Sequence, residues 1–86
     1  MTEMIKFINL LAENDIPFQV VIQEDFGTKQ VFIPNCVKPM FDVVCNKYSY
    51  GGKDGLLEIL FNEINRHIGC LTAEDVYDIV KYGVVK

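Results

Sequence analysis

The sequence has no long apolar segment and no recognisable secretion signal. No apolar run approaches the roughly 18 residues that are needed to cross a bilayer. The N-terminus does not show the basic, apolar and then small-residue order of a signal peptide. The three cysteines, Cys36, Cys45 and Cys70, leave at least one thiol unpaired, which fits a reducing compartment better than a disulfide scaffold. We therefore expect a cytoplasmic protein with no membrane partner.

Basic charge is also scarce. Eight Lys and Arg residues against twelve Asp and Glu residues give a formal net charge of -4 and a pI near 4.7. Proteins that bind phosphate backbones usually carry a basic surface, so this balance disfavours nucleic acid as the partner. An acidic surface can instead meet a basic patch on another protein, where complementary charge raises the rate and selectivity of binding.

The sequence lacks a recognisable catalytic or metal-binding motif. Its only histidine, His67, has no nucleophile elbow or metal triad around it. Cys36, Cys45, His67 and Cys70 are all zinc-ligand types, but eight residues separate Cys36 from Cys45. Structural zinc sites usually begin with two cysteines two to four residues apart. We therefore predict no catalytic residues, no metal and no cofactor.

Apolar residues, in contrast, are plentiful. They make up 50% of the 86 residues, which is too apolar a composition for a disordered chain. The length predicts a single domain over residues 1–86. A domain of this size has a modest core, and self-association would bury apolar surface that a monomer leaves exposed. A homodimer and a monomer are equally compatible with these features.

The apolar periodicity predicts an α+β fold of the order α-β-β-β-α-α. Residues 2–14 carry apolar side chains at helical spacing, which predicts a first helix capped by Thr2. Residues 18–25 and 30–33 alternate and predict a β-hairpin with Gly27 in its turn, and residues 40–46 predict a third strand. Short links between the strands favour a three-stranded antiparallel meander with helices on one face.

Two helices are predicted in the second half of the chain. Residues 54–67 carry a broad apolar stripe at helical spacing, with Gly69 placed as a C-terminal cap. This helix would bring His67 near its C-terminus, facing solvent. Thr72 and the acidic residues after it predict the start of a last helix, which Gly83 ends.

The segment CNKYSYGGKDG, residues 45–55, holds two tyrosines, three glycines and two lysines. Glycine lets the backbone approach a partner closely or take a positive φ, and tyrosine is enriched in protein interfaces. The segment departs from a nucleotide-binding P-loop because Asp54, not Ser or Thr, follows Lys53. An anion site at the start of the following helix is disfavoured by the same carboxylate. We predict a partner-binding site formed by Lys47, Tyr48, Tyr50, Gly51, Gly52 and Lys53.

A structural interpretation of the same segment stays open. The glycines can serve a turn alone, and one tyrosine can plug the end of the core while its hydroxyl reaches water.

The opening helix and three further segments carry a family resemblance: ENDIPFQVV, VVCNKYSYGGKDGLLEIL and LTAEDVYDIV. They resemble short uncharacterised proteins encoded in phages and prophages of low-GC Gram-positive bacteria (Firmicutes), with YSYGG and GLLEI as the most specific part. The resemblance implies a phage accessory or early protein and brings no catalytic residue.

This origin favours a non-enzymatic protein-interaction module. Such a module would bind a host or phage protein through the Tyr/Gly-rich loop and the helix predicted after it. The alternative is a nucleic-acid-binding accessory protein that uses Lys47, Tyr48, Tyr50 and Lys53.

Overall fold

The structure is a computed structural model that describes residues 1–23 and 28–83. Its helices and strands, in chain order, are α1 (Glu3–Glu13), β1 (Gln19–Gln23), β2 (Thr28–Ile33), β3 (Phe41–Val44), β4 (Leu57–Phe61), β5 (Arg66–Leu71) and α2 (Ala73–Tyr82), with a 3₁₀ helix at Gly52–Asp54. The five strands form one antiparallel sheet in the order β1-β2-β3-β4-β5. Neither α-helix in the described part of the chain has the length and apolar character that crossing a membrane requires.

The first helix begins where the sequence predicts. Thr2 caps α1 by accepting a hydrogen bond from the N–H of Ile5 at 3.2 Å. The apolar stripe places Met4, Phe7 and Leu11 in the core. A capped helix with one apolar face was therefore predictable from residue spacing.

The predicted hairpin is confirmed in its two strands. β1 and β2 pair antiparallel, with Val20 opposite Val31. The turn predicted around Gly27 lies outside the described residues. The third predicted strand is confirmed as β3, which pairs with β2.

The helix predicted over residues 54–67 is wrong. That stretch contains β4 and the start of β5, which pair with each other. Leu57 and Ile59 alternate into the core with no exposed surface, while Ile64, on the same predicted helical stripe, is 64% exposed. Asn65, at a φ of 49°, turns the chain between the two strands. The sheet therefore has five strands where three were predicted, and the order is α-β-β-β-β-β-α.

The last helix is confirmed at both ends. Thr72 and Asp75 form a capping box, in which each side chain accepts the other residue's N–H, and Gly83 ends α2 at a φ of 75°. The Oε1 of Glu3 in α1 also accepts the N–H of Ala73 at 2.9 Å. This bond, followed by the ion pair with Lys6, holds the pKa of Glu3 below its ordinary value. The two helix N-termini are thus tied together.

The core lies on one face of the sheet, where both helices pack. Val31, Val43 and Ile59 occupy one register row of this face and are fully buried. Helix residues that join the same cluster include Phe7 and Val76. The opposite face carries two other register rows, Val21–Gln30–Val44–Glu58 and Phe32–Asp42–Leu60–His67. None of its residues belongs to the buried core, and we call it the open face.

Candidate functional site: the tyrosine loop

The segment with the predicted site residues joins two neighbouring strands of the sheet. Residues 45–56 run from the end of β3 to the start of β4, so the segment connects two strands and does not lead into an α-helix as predicted. The three-residue 3₁₀ helix Gly52–Asp54 is the only helical turn described in it. The α-helix N-terminus on which an anion site would depend is therefore missing from this segment. We call residues 47–53 the tyrosine loop.

Side-chain hydrogen bonds hold the first half of the tyrosine loop. The Oδ1 of Asn46 accepts the N–H of Tyr48 at 2.9 Å and the N–H of Ser49 at 3.0 Å. The hydroxyl of Ser49 in turn accepts the N–H of Asn46 and donates to its carbonyl, both at 2.9 Å. This turn is one that asparagine and serine favour because their side chains bond to nearby backbone.

Two of the glycines are required by the geometry of the loop. Gly51 has a φ of 84°, where a side chain is strained. Gly52 has ordinary dihedrals, but a Cβ atom there would lie 1.7 Å from the carbonyl oxygen of Asn46. Their role is thus structural, and direct contact of either glycine with a partner stays a prediction.

The second half of the loop is fixed against β5 through Tyr50. The N–H of Tyr50 donates to Oε2 of Glu58 at 3.3 Å, and its carbonyl accepts the N–H of Cys70 at 3.1 Å. A Cβ atom at Gly69 would lie 2.2 Å from Cβ of Tyr50. The β4–β5 register shifts here, and Cys70 has a φ of 59°. Gly69 was predicted as a helix cap. It instead leaves room for the loop beside this irregularity in β5.

The tyrosine side chains lie on the surface of this fixed backbone. Tyr48 is 71% exposed and Tyr50 is 70% exposed. The Nζ of Lys47 lies over the Tyr48 ring, 5.1 Å from its centroid. Lys53 is exposed in the 3₁₀ helix. The interpretation in which a tyrosine plugs the core does not fit these exposures.

The open face adjoins the tyrosine loop through Glu58. Oε2 of Glu58 accepts a hydrogen bond from the N–H of Tyr50, while Oε1 of Glu58 lies 3.8 Å from Nδ1 of His67. A shallow depression of about 130 Å³ follows on the open face, lined by Gln30, Asp42, Val44, Glu58, Leu60 and His67. The sequence predicts Glu58, Leu60 and His67 on a helix, so this surface is absent from the sequence-based prediction. The alternation of Leu57, Ile59 and Phe61 is a strand signal, but it competes with helical spacing in the same residues.

Polar side chains form a hydrogen-bonded row across the open face. Nε2 of Gln23 donates to Gln30 at 2.9 Å, and Nε2 of Gln30 donates to Asp42 at 3.4 Å. The other oxygen of Asp42 accepts Nδ2 of Asn62 at 2.9 Å. This row joins four strands or strand ends and gives the open face a polar, partly acidic character beside the apolar Val44 and Leu60.

The residues considered for zinc do not form a cluster. Among residues 1–23 and 28–83, no group of three or more His, Cys, Asp or Glu side chains is placed to hold a metal ion. Cys36 and Cys70 are exposed, and partial burial raises the pKa of the Cys45 thiol. His67 lies on β5 beside Glu58, so its predicted position near a helix C-terminus is wrong.

Comparison with known proteins gives no further information. The chain matches no protein-family model, no curated protein and no solved structure.

Proposed function

We propose that this protein is a non-enzymatic protein-interaction module, and that Tyr48 and Tyr50 are its principal contact residues. One observation carries the proposal: both rings are about 70% exposed, while hydrogen bonds on either side fix the backbone that presents them. Tyrosine is among the residues that most often supply large shares of binding energy at interfaces.

The fixed backbone matters because ordering a loop on binding costs free energy. Here the Asn46 and Ser49 bonds, and the contact of Tyr50 with β5, already set the loop conformation. On binding, the free-energy cost of ordering would then come mainly from the tyrosine side chains, each of which has only two χ angles to order. An exposed tyrosine on a mobile loop would lack this advantage.

The charges beside the loop favour a protein over a nucleic acid. Asp42 and Glu58 contribute carboxylates to the adjoining face, and the net charge of the chain is -4. Phosphate groups would be repelled by these carboxylates, whereas a basic or amide-rich protein surface would be complementary. Lys47 is placed against the ring of Tyr48.

The partner class follows from the resemblance stated above. As an accessory protein of phage type, the module would act in the host cytoplasm on a host or phage protein. The contact surface we propose comprises the tyrosine loop with β4 and β5 in place of the helix that the sequence predicted there.

The test is affinity capture from a Gram-positive host lysate with and without phage infection. We expect the Tyr48→Ala/Tyr50→Ala variant to recover at least about ten-fold less partner than the wild type. This is the effect of tyrosines that contribute about 1.4 kcal/mol or more to the binding free energy. Tyr82→Ala is the matched control, since Tyr82 is an exposed tyrosine on α2 and is expected to leave recovery unchanged. Equal recovery by both variants would contradict the proposal.

The salt dependence of binding and a defined oligonucleotide probe distinguish the nucleic-acid alternative from the proposed protein interaction. Partner recovery through tyrosine contacts is expected to fall only slightly between 0.1 and 0.5 M NaCl, because salt screens the surrounding charge contacts but not the apolar contacts of the rings. A fluorescent single-stranded oligonucleotide is expected not to bind at 0.15 M NaCl. Binding that weakens steeply with salt and needs Lys47 and Lys53 would favour the alternative.

A further inference from the structure

Strand β1 is an unprotected sheet edge. Within the described part of the chain it pairs only with β2, in a continuous register from Gln19 opposite Phe32 to Gln23 opposite Thr28. Its sequence, QVVIQ, contains no charged residue and no proline. Val21 is 37% exposed and Ile22 is 56% exposed. An edge strand with these properties is a template for pairing with another strand.

The other edge of the sheet is protected. β5 carries Arg66 and His67, and its pairing with β4 is irregular near Cys70, whose φ is 59°. The carbonyl oxygen of Tyr50 also accepts a hydrogen bond from the N–H of Cys70, and Tyr50 lies against Gly69. Charged side chains and bulges are among the devices that prevent edge pairing, and the five residues Gln19–Gln23 contain neither.

The sequence of β1 is complementary to itself when it is reversed. In an antiparallel pair centred on Val21, Gln19 faces Gln23 of the second copy, Val20 faces Ile22, and Val21 faces Val21. The three central pairs then join β-branched side chains, which pack well across antiparallel strands. The two outer pairs place Gln19, whose Oε1 accepts the N–H of Cys36, opposite Gln23, whose Nε2 donates to Gln30. No charge or proline opposes the pairing at any position.

We infer that two copies of this chain pair antiparallel through β1, about a two-fold axis at Val21, and form a continuous ten-stranded sheet. Such an interface is the same patch on both copies, so it closes on itself. The protected β5 edges then stop growth at two copies, whereas an unprotected second edge would permit filaments. Tyr50 of the tyrosine loop contacts β5, at the other edge of the sheet from β1, and the dimer inference does not rest on the proposed function.

The first measurement is sedimentation equilibrium of the full chain over about 1 to 500 μM. We expect a reversible monomer–dimer equilibrium with a Kd on the order of 10 μM, because five residue pairs form an interface below the standard size. Val21→Lys is expected to weaken the dimer at least about ten-fold, since two lysines would face each other at the axis. Ile64→Lys places the same charge at an exposed position between β4 and β5, at the other side of the sheet from β1, and is expected to leave the dimer intact.

A charge-pair experiment separates a direct contact from a general loss of structure. At about 10 μM, where the wild type is expected to be about half dimeric, Val21→Lys and Val21→Glu are each expected to be largely monomeric and to keep the circular dichroism spectrum of the wild type. An equimolar mixture of the two is expected to form a heterodimer, because lysine then faces glutamate across the axis.

Three results would overturn the inference. They are a wild type that stays monomeric at 500 μM, a dimer Kd that is unchanged in both single variants, and a mixture that is no more dimeric than either variant alone although each variant is folded. A disulfide trap adds a covalent readout, since paired Val21→Cys chains place the two introduced thiols directly opposite each other. Peptide mapping should find a bond between these thiols, and its absence beside a persisting dimer would place the interface elsewhere.

Discussion

Adding a methyl group at Gly69 is expected to push the tyrosine loop away from β5. The new Cβ atom would lie 2.2 Å from Cβ of Tyr50 and 2.9 Å from its carbonyl oxygen. Carbon atoms prefer a separation of about 3.5–4.0 Å, so the loop backbone has to move by more than about 1 Å. No flexible side-chain end is available to give way, because the contacting atoms belong to the Tyr50 backbone and its Cβ.

The cost of Gly69→Ala can be worked from these contacts. Overpacking of this kind costs about 1–3 kcal/mol, and displacement of the loop also strains the bonds of Tyr50 to Glu58 and Cys70. A gain of about 0.5 kcal/mol from the stiffer unfolded chain offsets part of this. We expect a net loss of about 2 kcal/mol, which lowers the Tm by roughly 8–16 °C for a domain of this size.

The assay is thermal unfolding followed by circular dichroism at one fixed protein concentration. Gly55→Ala is the matched control, because a Cβ at Gly55 meets no atom within 4 Å and only its φ of 75° is unfavourable. We expect the control to cost about 1 kcal/mol. A Tm for Gly69→Ala within 2 °C of the wild type would refute the reasoning that the loop is held against β5.

Three other predictions concern the strands and the helix ends. Leu57→Ala should lower the free energy of unfolding by about 2–5 kcal/mol in urea titrations, because Leu57 is fully buried, while Ile64→Ala should cost under about 0.5 kcal/mol. Equal losses of stability in these two variants would instead support a helix that carries Leu57 and Ile64 on one apolar stripe. Thr72→Ala should cost about 1 kcal/mol in the same titration, since it removes the hydroxyl that accepts the Asp75 N–H, and an unchanged midpoint would contradict this cap. The fold lowers the pKa of Glu3 below its ordinary 4.5, so the ionised Glu3 carboxylate stabilises the folded state fully above pH 4.5. This stabilisation is lost as the pH falls through the pKa of the folded state. The Tm difference between the wild type and Glu3→Gln should therefore shrink in melts below about pH 4.5, and a difference that grows with acid would contradict it.

The helices were predictable because their signals are local. Thr2 and Thr72 cap their helices, and Gly83 ends the second one, as residue type and position predicted. The first hairpin strands were also predictable, since β-branched residues are concentrated in β1 and β2. In each case a short segment carries enough information to specify its own backbone.

The second half of the sheet was not predictable in the same way. Residues 56–64 satisfy helical spacing through Leu57, Leu60 and Ile64, and they satisfy strand alternation through Leu57 and Ile59. Pairing of β4 with β3 and β5 decides between the two, and these pairings are contacts that no local pattern contains. The glycines of the loop stand out in the sequence. Why glycine is needed at these positions depends on where the fold places Asn46 and Tyr50.

The candidate site was predicted in part. The exposure of Tyr48 and Tyr50 fits the expectation of a contact surface, whereas the anchoring of Tyr50 to Glu58 and Cys70 depends on β5 and was not foreseen. The open face was missed for the same reason as β4. Partner binding by the loop stays a prediction.

The most direct test of the central claim is the affinity of the captured partner for wild-type protein and for Tyr50→Ala, measured by calorimetry. Cβ of Tyr50 remains in this variant, so the contact with Gly69 is kept and only the exposed ring is removed. A contact residue of the kind proposed should raise the Kd by about 30-fold, equivalent to 2 kcal/mol. A Kd within two-fold of the wild type, with the fold intact, would contradict the claim that the tyrosine loop is the contact surface.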